Sequence, residues 1–302
     1  MSRGLADLPK DEGIKVPDGA VEELSSVKAS YRGGLVSELR HFALRSYGDK
    51  CKQVKDIPVA LLPISDLNGC AIQTPRNGAV ILLDSGGIFS LAALARYYFA
   101  LWDYTGLPTF RDANWTELVS AVHNLARFCV TGDYTYVSQG LAAESRIDPP
   151  LTRKRLVDPE GQATFYMWTF ILLHEYGHVE LGHLKTTALR SLRIGSGTEI
   201  RYSPSQRQEF EADKYAYSHL AKTIPNFAAF AAGLLLNFFH LCEEMSTHKS
   251  STHPPAIDRW KAIKTIAGVD RNSENLASDL EETFAEIREV GLSNAEQDGQ
   301  CE

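Results

Sequence analysis

Cysteine is scarce: the 302 residues hold five, Cys51, Cys70, Cys129, Cys242 and Cys301, widely scattered and never as a CxxC pair. That excludes a disulfide framework and a thiolate metal site, and it fits a reducing compartment, so a cytoplasmic location is expected. Positive charge is also short, with a net charge of -7 and a pI near 5.8. Phosphate contacts need clustered Lys and Arg, so a nucleic-acid partner is not expected. The first residues, MSRGLADLPKDEGIKVPDG, have no apolar core followed by a small-residue cleavage site, and no secretory signal is expected. The longest apolar stretch, FAAFAAGLLLNFFHL from Phe227 to Leu241, has 15 residues and carries Asn237 and His240. A membrane span needs about 20 apolar residues, so this stretch reads as a core helix. There is no GxSxG nucleophile motif, and GSGTE at 195–199 lacks the lysine of a phosphate loop.

What is present is a globular composition, 44% hydrophobic, without internal repeats. Residues 1–18 read as a flexible arm. Residues 19–150 read as a helical and β region, 151–290 as a helical core, and 291–302 as a polar tail. Val21 to Ser46 has helical spacing interrupted at Gly33 and Gly34. Ile57 to Ile64 reads as a strand, and CAIQTPRNGAVILLD places Asn77-Gly78 between two apolar runs, a hairpin signal. Helices are predicted at about 89–103, 114–130, 160–184, 203–221, 226–246, 254–268 and 276–290. Between 131 and 159, rich in Gly, Pro and charge, the reading is loop or short helix, with a basic run at Arg153-Lys154-Arg155. The expected fold is therefore α+β, mainly helical, with a small β-hairpin sheet and a central helix at about 160–184.

That central helix carries His174-Glu175-Tyr176-Gly177-His178, an HExxH string inside FYMWTFILLHEYGHVELGHL. On a helix the two histidines fall within about 40° of each other and one turn apart, so both imidazoles reach one ion. Glu175 lies beside the first ligand, where it can take a proton from water acidified by a metal. A second signal comes 31 residues after His178, where Ser203, Pro204 and Gln206 in SPSQRQEFEADKYAYSHLA open another helix as a capping box does. There Glu209 and Asp213, four residues apart, share a face. Glu209 is the expected third ligand, and Asp213 the acceptor for the outer nitrogen of a ligand histidine. Glu211 competes, but it lies about 200° round the helix and has no acid one turn later, so an ion pair is the better reading. Two histidines, a glutamate and an open position describe a catalytic zinc site, one zinc per chain.

His183 would be a third histidine, yet on a continuous helix it lies about 180° from His174, which excludes it as a ligand. Its expected role is to meet the free carbonyls at the helix end, with a direct catalytic role as the less favoured alternative. Tyr176, Tyr215 and Tyr217 are candidates either for binding an oxyanion or, more commonly, for helix packing.

HEYGHVELGH, then EFEADKYA, then STHPPAIDRW together resemble the ordered signature of the HtpX and CAAX-prenyl-protease family of gluzincin peptidases, over about 165–262 and more faintly over 68–87. The resemblance implies a zincin-like metallopeptidase core with the small β-hairpin sheet beside the HExxH active-site helix, and the glutamate of an ExxxD motif, here Glu209 with Asp213, as third ligand. It also implies His253 and Arg259 near the metal, with His253 binding oxyanion, substrate or the zinc itself. The chain is similar, more weakly, to the soluble ImmA/IrrE-type and Lit-type phage-exclusion peptidases, which implies a specific intracellular protein as substrate. The expected activity is thus zinc-dependent hydrolysis of a peptide bond with Glu175 as general base. The alternative is a catalytically silent binding protein on a zincin scaffold.

Overall fold

The computed structural model describes residues 34–48, 54–62, 69–73, 78–84, 86–101, 110–147, 159–185, 206–246, 253–267 and 279–290. The chain divides into two units, Met1–Glu38 and Leu39–Glu302, and the second holds the sheet, the central helix and all the motif residues. The arm at 1–18, the tail at 291–302, the basic run at 153–155, GSGTE at 195–199 and the capping residues Ser203 and Pro204 lie outside the described residues.

The elements in order are α1 (Gly34–Arg45), β1 (Val59–Leu62), β2 (Gly69–Gln73), β3 (Ala79–Asp84), α2 (Gly86–Leu101), α3 (Phe110–Thr131), α4 (Tyr134–Glu144), α5 (Pro159–Glu180), a 3-10 turn (His183–Lys185), α6 (Gln206–Thr223), α7 (Pro225–Met245), α8 (Ala256–Ala267) and α9 (279–290). The expected α+β, mainly helical fold is observed. The hairpin is there: β2 and β3 pair antiparallel, with Ala71 opposite Ile81. The region 131–159 holds the short helix α4, whose N-cap Asp133 accepts the Thr135 amide at 2.8 Å.

The sheet has one feature that is not in the sequence pattern. β1 pairs with β3 in parallel, giving the order β1-β3-β2, so the hairpin turns β3 into the central strand and leaves β2 at an edge. Local turn chemistry specifies the antiparallel pair, whereas a parallel pair is specified only by the packing of distant segments.

α5 is the axis of the fold. Pro159 starts it, in the first turn where a missing N–H costs nothing, with Glu160 favourable to the helix dipole. From Met167 to His178 every residue is buried, so no single apolar stripe exists. The helix is enclosed by α2, α6, α7 and the sheet. A helix hydrophobic all round must be buried on all sides. α6 behaves differently: Glu209, Ala212, Asp213, Ala216 and Leu220 form one inward stripe, a helical period with two acids in it.

α7 starts at Pro225 without a side-chain cap. Its Phe227–Met245 window is long and apolar enough, by length and composition, to cross a membrane, and 67% of it is buried inside the fold. Its burial depends on one glycine. A Cβ on Gly233 would stand 2.9 Å from Cη2 of Trp260, itself fully buried, and 3.1 Å from Leu280. Alanine there would gain about 1 kcal/mol of helix propensity. The indole, packed in the core and tied through Nε1 to Glu281 at 2.6 Å, cannot retreat cheaply. Overpacking costs about 1–3 kcal/mol. Gly233→Ala is therefore expected to lower the unfolding free energy by up to about 2 kcal/mol in urea titration; a more stable variant would show that Trp260 has room to move.

Candidate metal centre

The site forms where α5 and α6 cross. Gly177, between the two motif histidines, lets the backbones approach: a Cβ there would lie 3.2 Å from Cα of Ala212 and 3.2 Å from the Tyr215 ring. Ala212 stands next to Asp213 and one turn from Glu209, so this approach brings the acids of α6 up to the imidazoles of α5.

Three expected ligands meet. His174 Nε2 and His178 Nε2 are 3.0 Å apart, with Glu209 Oε2 3.4 Å from the first and Oε1 3.5 Å from the second. All three residues are buried, and their donor atoms lie within 4.8 Å of one another. At that distance the two Nε2 atoms need either a proton or a metal ion between them. Among the described residues nothing donates a hydrogen bond to Glu209 Oε2, although it is fully enclosed. His174, His253 and the Arg259 guanidinium approach it at 3.4, 3.6 and 3.8 Å, and a metal ion there would complete its contacts. Ligands about 2.1 Å from a tetrahedral ion stand about 3.4 Å apart, which matches the separations found. The three side chains can hold a metal ion.

Behind this trio lies a second layer. His174 donates from Nδ1 to Asp213 Oδ1 at 2.9 Å, and Arg259 donates from Nε and Nη2 to the two oxygens of Asp213, both at 2.7 Å. Burial alone would raise the Asp213 carboxyl; the charge and hydrogen bonds of Arg259 hold it well below the usual carboxylate range. Asp213 is thus a fixed anion, and it sets His174 with Nδ1 protonated and Nε2 turned to the trio. Glu209 is likewise held below its ordinary value: burial opposes its charge, and His174, His253 and Arg259 more than offset it.

Glu175 is buried beside the trio but turned to the sheet. Gly69 of β2 lies over it, with a Cβ there falling 3.3 Å from Glu175 Cγ, and the Ala71 backbone amide hydrogen-bonds the carboxylate. Burial pushes its carboxyl up to about 7, against the lowering pull of His174. His253, just before α8, is half-exposed, with Nε2 3.6 Å from Glu209 Oε2, so it stands at the open side of the cluster. Thr252 of the THPP block lies outside the described residues. His174, His178, Glu209, Glu175, Asp213, Arg259 and His253 are therefore gathered at one place.

His183 departs from expectation. α5 ends at Glu180, Gly182 turns the chain with φ +73, and His183 folds back instead of continuing the helix. It remains outside the trio, but because of that turn rather than its angle on a helix. Its ring nitrogens meet other side chains: Nδ1 lies 3.0 Å from His178 Nδ1 and Nε2 lies 3.2 Å from Glu211 Oε2. Glu211 makes the expected ion pair, to Arg207 at 2.9 Å. The missed signal was Gly182, a helix-ending residue ahead of a polar one. Tyr176 and Tyr215 point elsewhere, packing around Tyr47, and take no part in the site.

Residues 157–278 match the family model described as Peptidase U49. The match supports a peptidase and spans all of α5, α6, α7 and α8, so it contains the trio, Glu175, Asp213, His253 and Arg259. The sheet lies outside it. No curated protein and no solved structure matches the chain.

Removing one partner of a buried ion pair strands the other, at a cost of about 3–5 kcal/mol. Arg259→Leu is expected to lose that much unfolding free energy by urea denaturation; a loss under about 1 kcal/mol would place the pair with ordinary surface bridges.

Proposed function

We propose that the chain is a zinc metallopeptidase of the gluzincin type, with His174, His178 and Glu209 as ligands and Glu175 as general base. The observation that carries this is the convergence of two Nε2 atoms and a buried carboxylate, their ligand atoms within 4.8 Å of one another, at separations suited to one tetrahedral ion. Neutral imidazoles and a carboxylate suit zinc, and three protein ligands leave a position open for catalysis. Bound there, zinc supplies Lewis acidity, polarising a peptide carbonyl and acidifying water.

The rest of the chemistry belongs to side chains. Glu175, with its carboxyl near 7, is matched to accept a proton from the attacking water and return it to the leaving amide nitrogen near neutral pH. The Ala71 amide keeps that carboxylate at the edge of β2. β2 borders the described sheet, so an extended peptide adding to its outer edge would lie next to Glu175. His253, at the open side, is proposed to donate to the carbonyl oxygen as negative charge develops. Asp213 and Arg259 hold His174 in place. The resemblance to HtpX and CAAX-prenyl-protease enzymes, and to ImmA/IrrE-type and Lit-type peptidases, supports a restricted intracellular protein as substrate, cut in the cytoplasm.

Two experiments test this. Metal content of the chain purified without added metal is expected to be about one zinc, lost in Glu209→Ala. Stoichiometric zinc in that variant would remove Glu209 from the ligand set. New N-termini generated in a cell lysate, mapped by mass spectrometry, are expected with the native chain and absent with Glu175→Gln, which keeps fold and zinc but loses about three or more orders of magnitude in rate. Equal cleavage by both would sink the general-base assignment, and zinc without cleavage by either would favour a silent scaffold.

A further inference from the structure

His174 has an evident support in Asp213, but among the described residues no carboxylate meets the outer nitrogen of His178. What stands there is His183, 3.0 Å away, with Glu211 3.2 Å beyond it and Arg207 2.9 Å beyond that. The proton positions are set by one requirement. If His178 offers Nε2 to the metal, its Nδ1 carries the hydrogen and must donate. His183 Nδ1 is then the acceptor, so its hydrogen sits on Nε2 and points at Glu211 Oε2. Each bond runs the same way, from the ligand outward to an anion, and no other arrangement satisfies all three groups with neutral rings.

The backbone is built for this chain of bonds. Leu181 and Gly182 amides close the end of α5 on the Gly177 and Val179 carbonyls, at 2.9 and 3.1 Å. The positive φ of Gly182 then reverses the direction. A side chain five residues past His178 is thereby returned to its outer nitrogen. His183 is 4% exposed, whereas Glu211 shows 41% of its side chain to solvent, so the relay crosses from the buried centre to the surface.

We propose that His183, anchored by Glu211, is the positioning residue for His178, fixing the tautomer and ring orientation that present Nε2 to the metal. This rests on the metallopeptidase reading. His183 touches neither substrate nor metal; it acts through His178 alone. The two ligand histidines are then supported by unlike devices, a buried ion pair for His174 and a histidine-to-surface relay for His178.

The test is zinc affinity of the full-length chain, stripped of metal and titrated with zinc alone against a chromophoric chelator. His183→Leu keeps the volume and removes the acceptor; His183→Gln keeps an oxygen for His178 and an N–H for Glu211. The leucine variant is expected to bind zinc about 10–100-fold more weakly, as loss of an orienting partner does, with glutamine restoring most of the affinity. Leucine within twofold of the native chain, or glutamine no better than leucine, overturns the proposal. Should the leucine variant lose cooperative unfolding, Glu211→Ala decides, since that side chain is partly exposed: weaker zinc binding supports the relay, and unchanged binding overturns it. Glu209→Ala, run alongside, separates the two levels. A native chain that binds no zinc overturns the metallopeptidase reading together with this inference, whereas zinc lost in Glu209→Ala but unchanged in the His183 and Glu211 variants overturns only the relay.

Discussion

Everything at the centre depends on how near α5 comes to α6. A methyl group on Gly177 would meet the Cα of Ala212 and the ring of Tyr215, each at 3.2 Å. The separation of the two helices sets the distance from imidazole to carboxylate, and metal coordination tolerates changes of only a few tenths of an ångström. A glycine facing an alanine is therefore as much a part of the site as the side chains that would bind an ion. Interior packing is dense enough for this small contact to be transmitted without slack.

The electrostatics depend on that closeness. Glu209, Asp213 and Glu175 are three buried acids, and burial raises all three. Arg259 and the histidines reverse the effect for Glu209 and Asp213. Glu175, facing the sheet, is left with a carboxyl near 7. Two carboxylates are thus kept as anions while the carboxyl of the third is raised, a difference set by neighbours and not by residue type.

Much of the site was legible because helix geometry is periodic. The spacing of His174 and His178, and of Glu209 and Asp213, put each pair on one face before any contact was known. The preference for Glu209 over Glu211 rested on the same argument, and the buried stripe of α6 agrees with it. His183 was misplaced because the argument assumed a continuous helix; the chain turned at Gly182, and angles counted along a helix lose meaning past its end. The parallel pairing of β1 with β3 was invisible for a related reason, since no local turn joins those strands.

By itself the sequence determined which helices form, which faces they bury and which residue types can bind a metal or move a proton, because these depend on period, capping and side-chain chemistry within a few turns. Only the tertiary structure decided that α5 and α6 approach at Gly177, that Arg259 reaches Asp213 from 46 residues away, and that His183 returns to His178. Those contacts join segments whose separation along the chain carries no periodic signal, and they are selected by packing and charge pairing in the folded core.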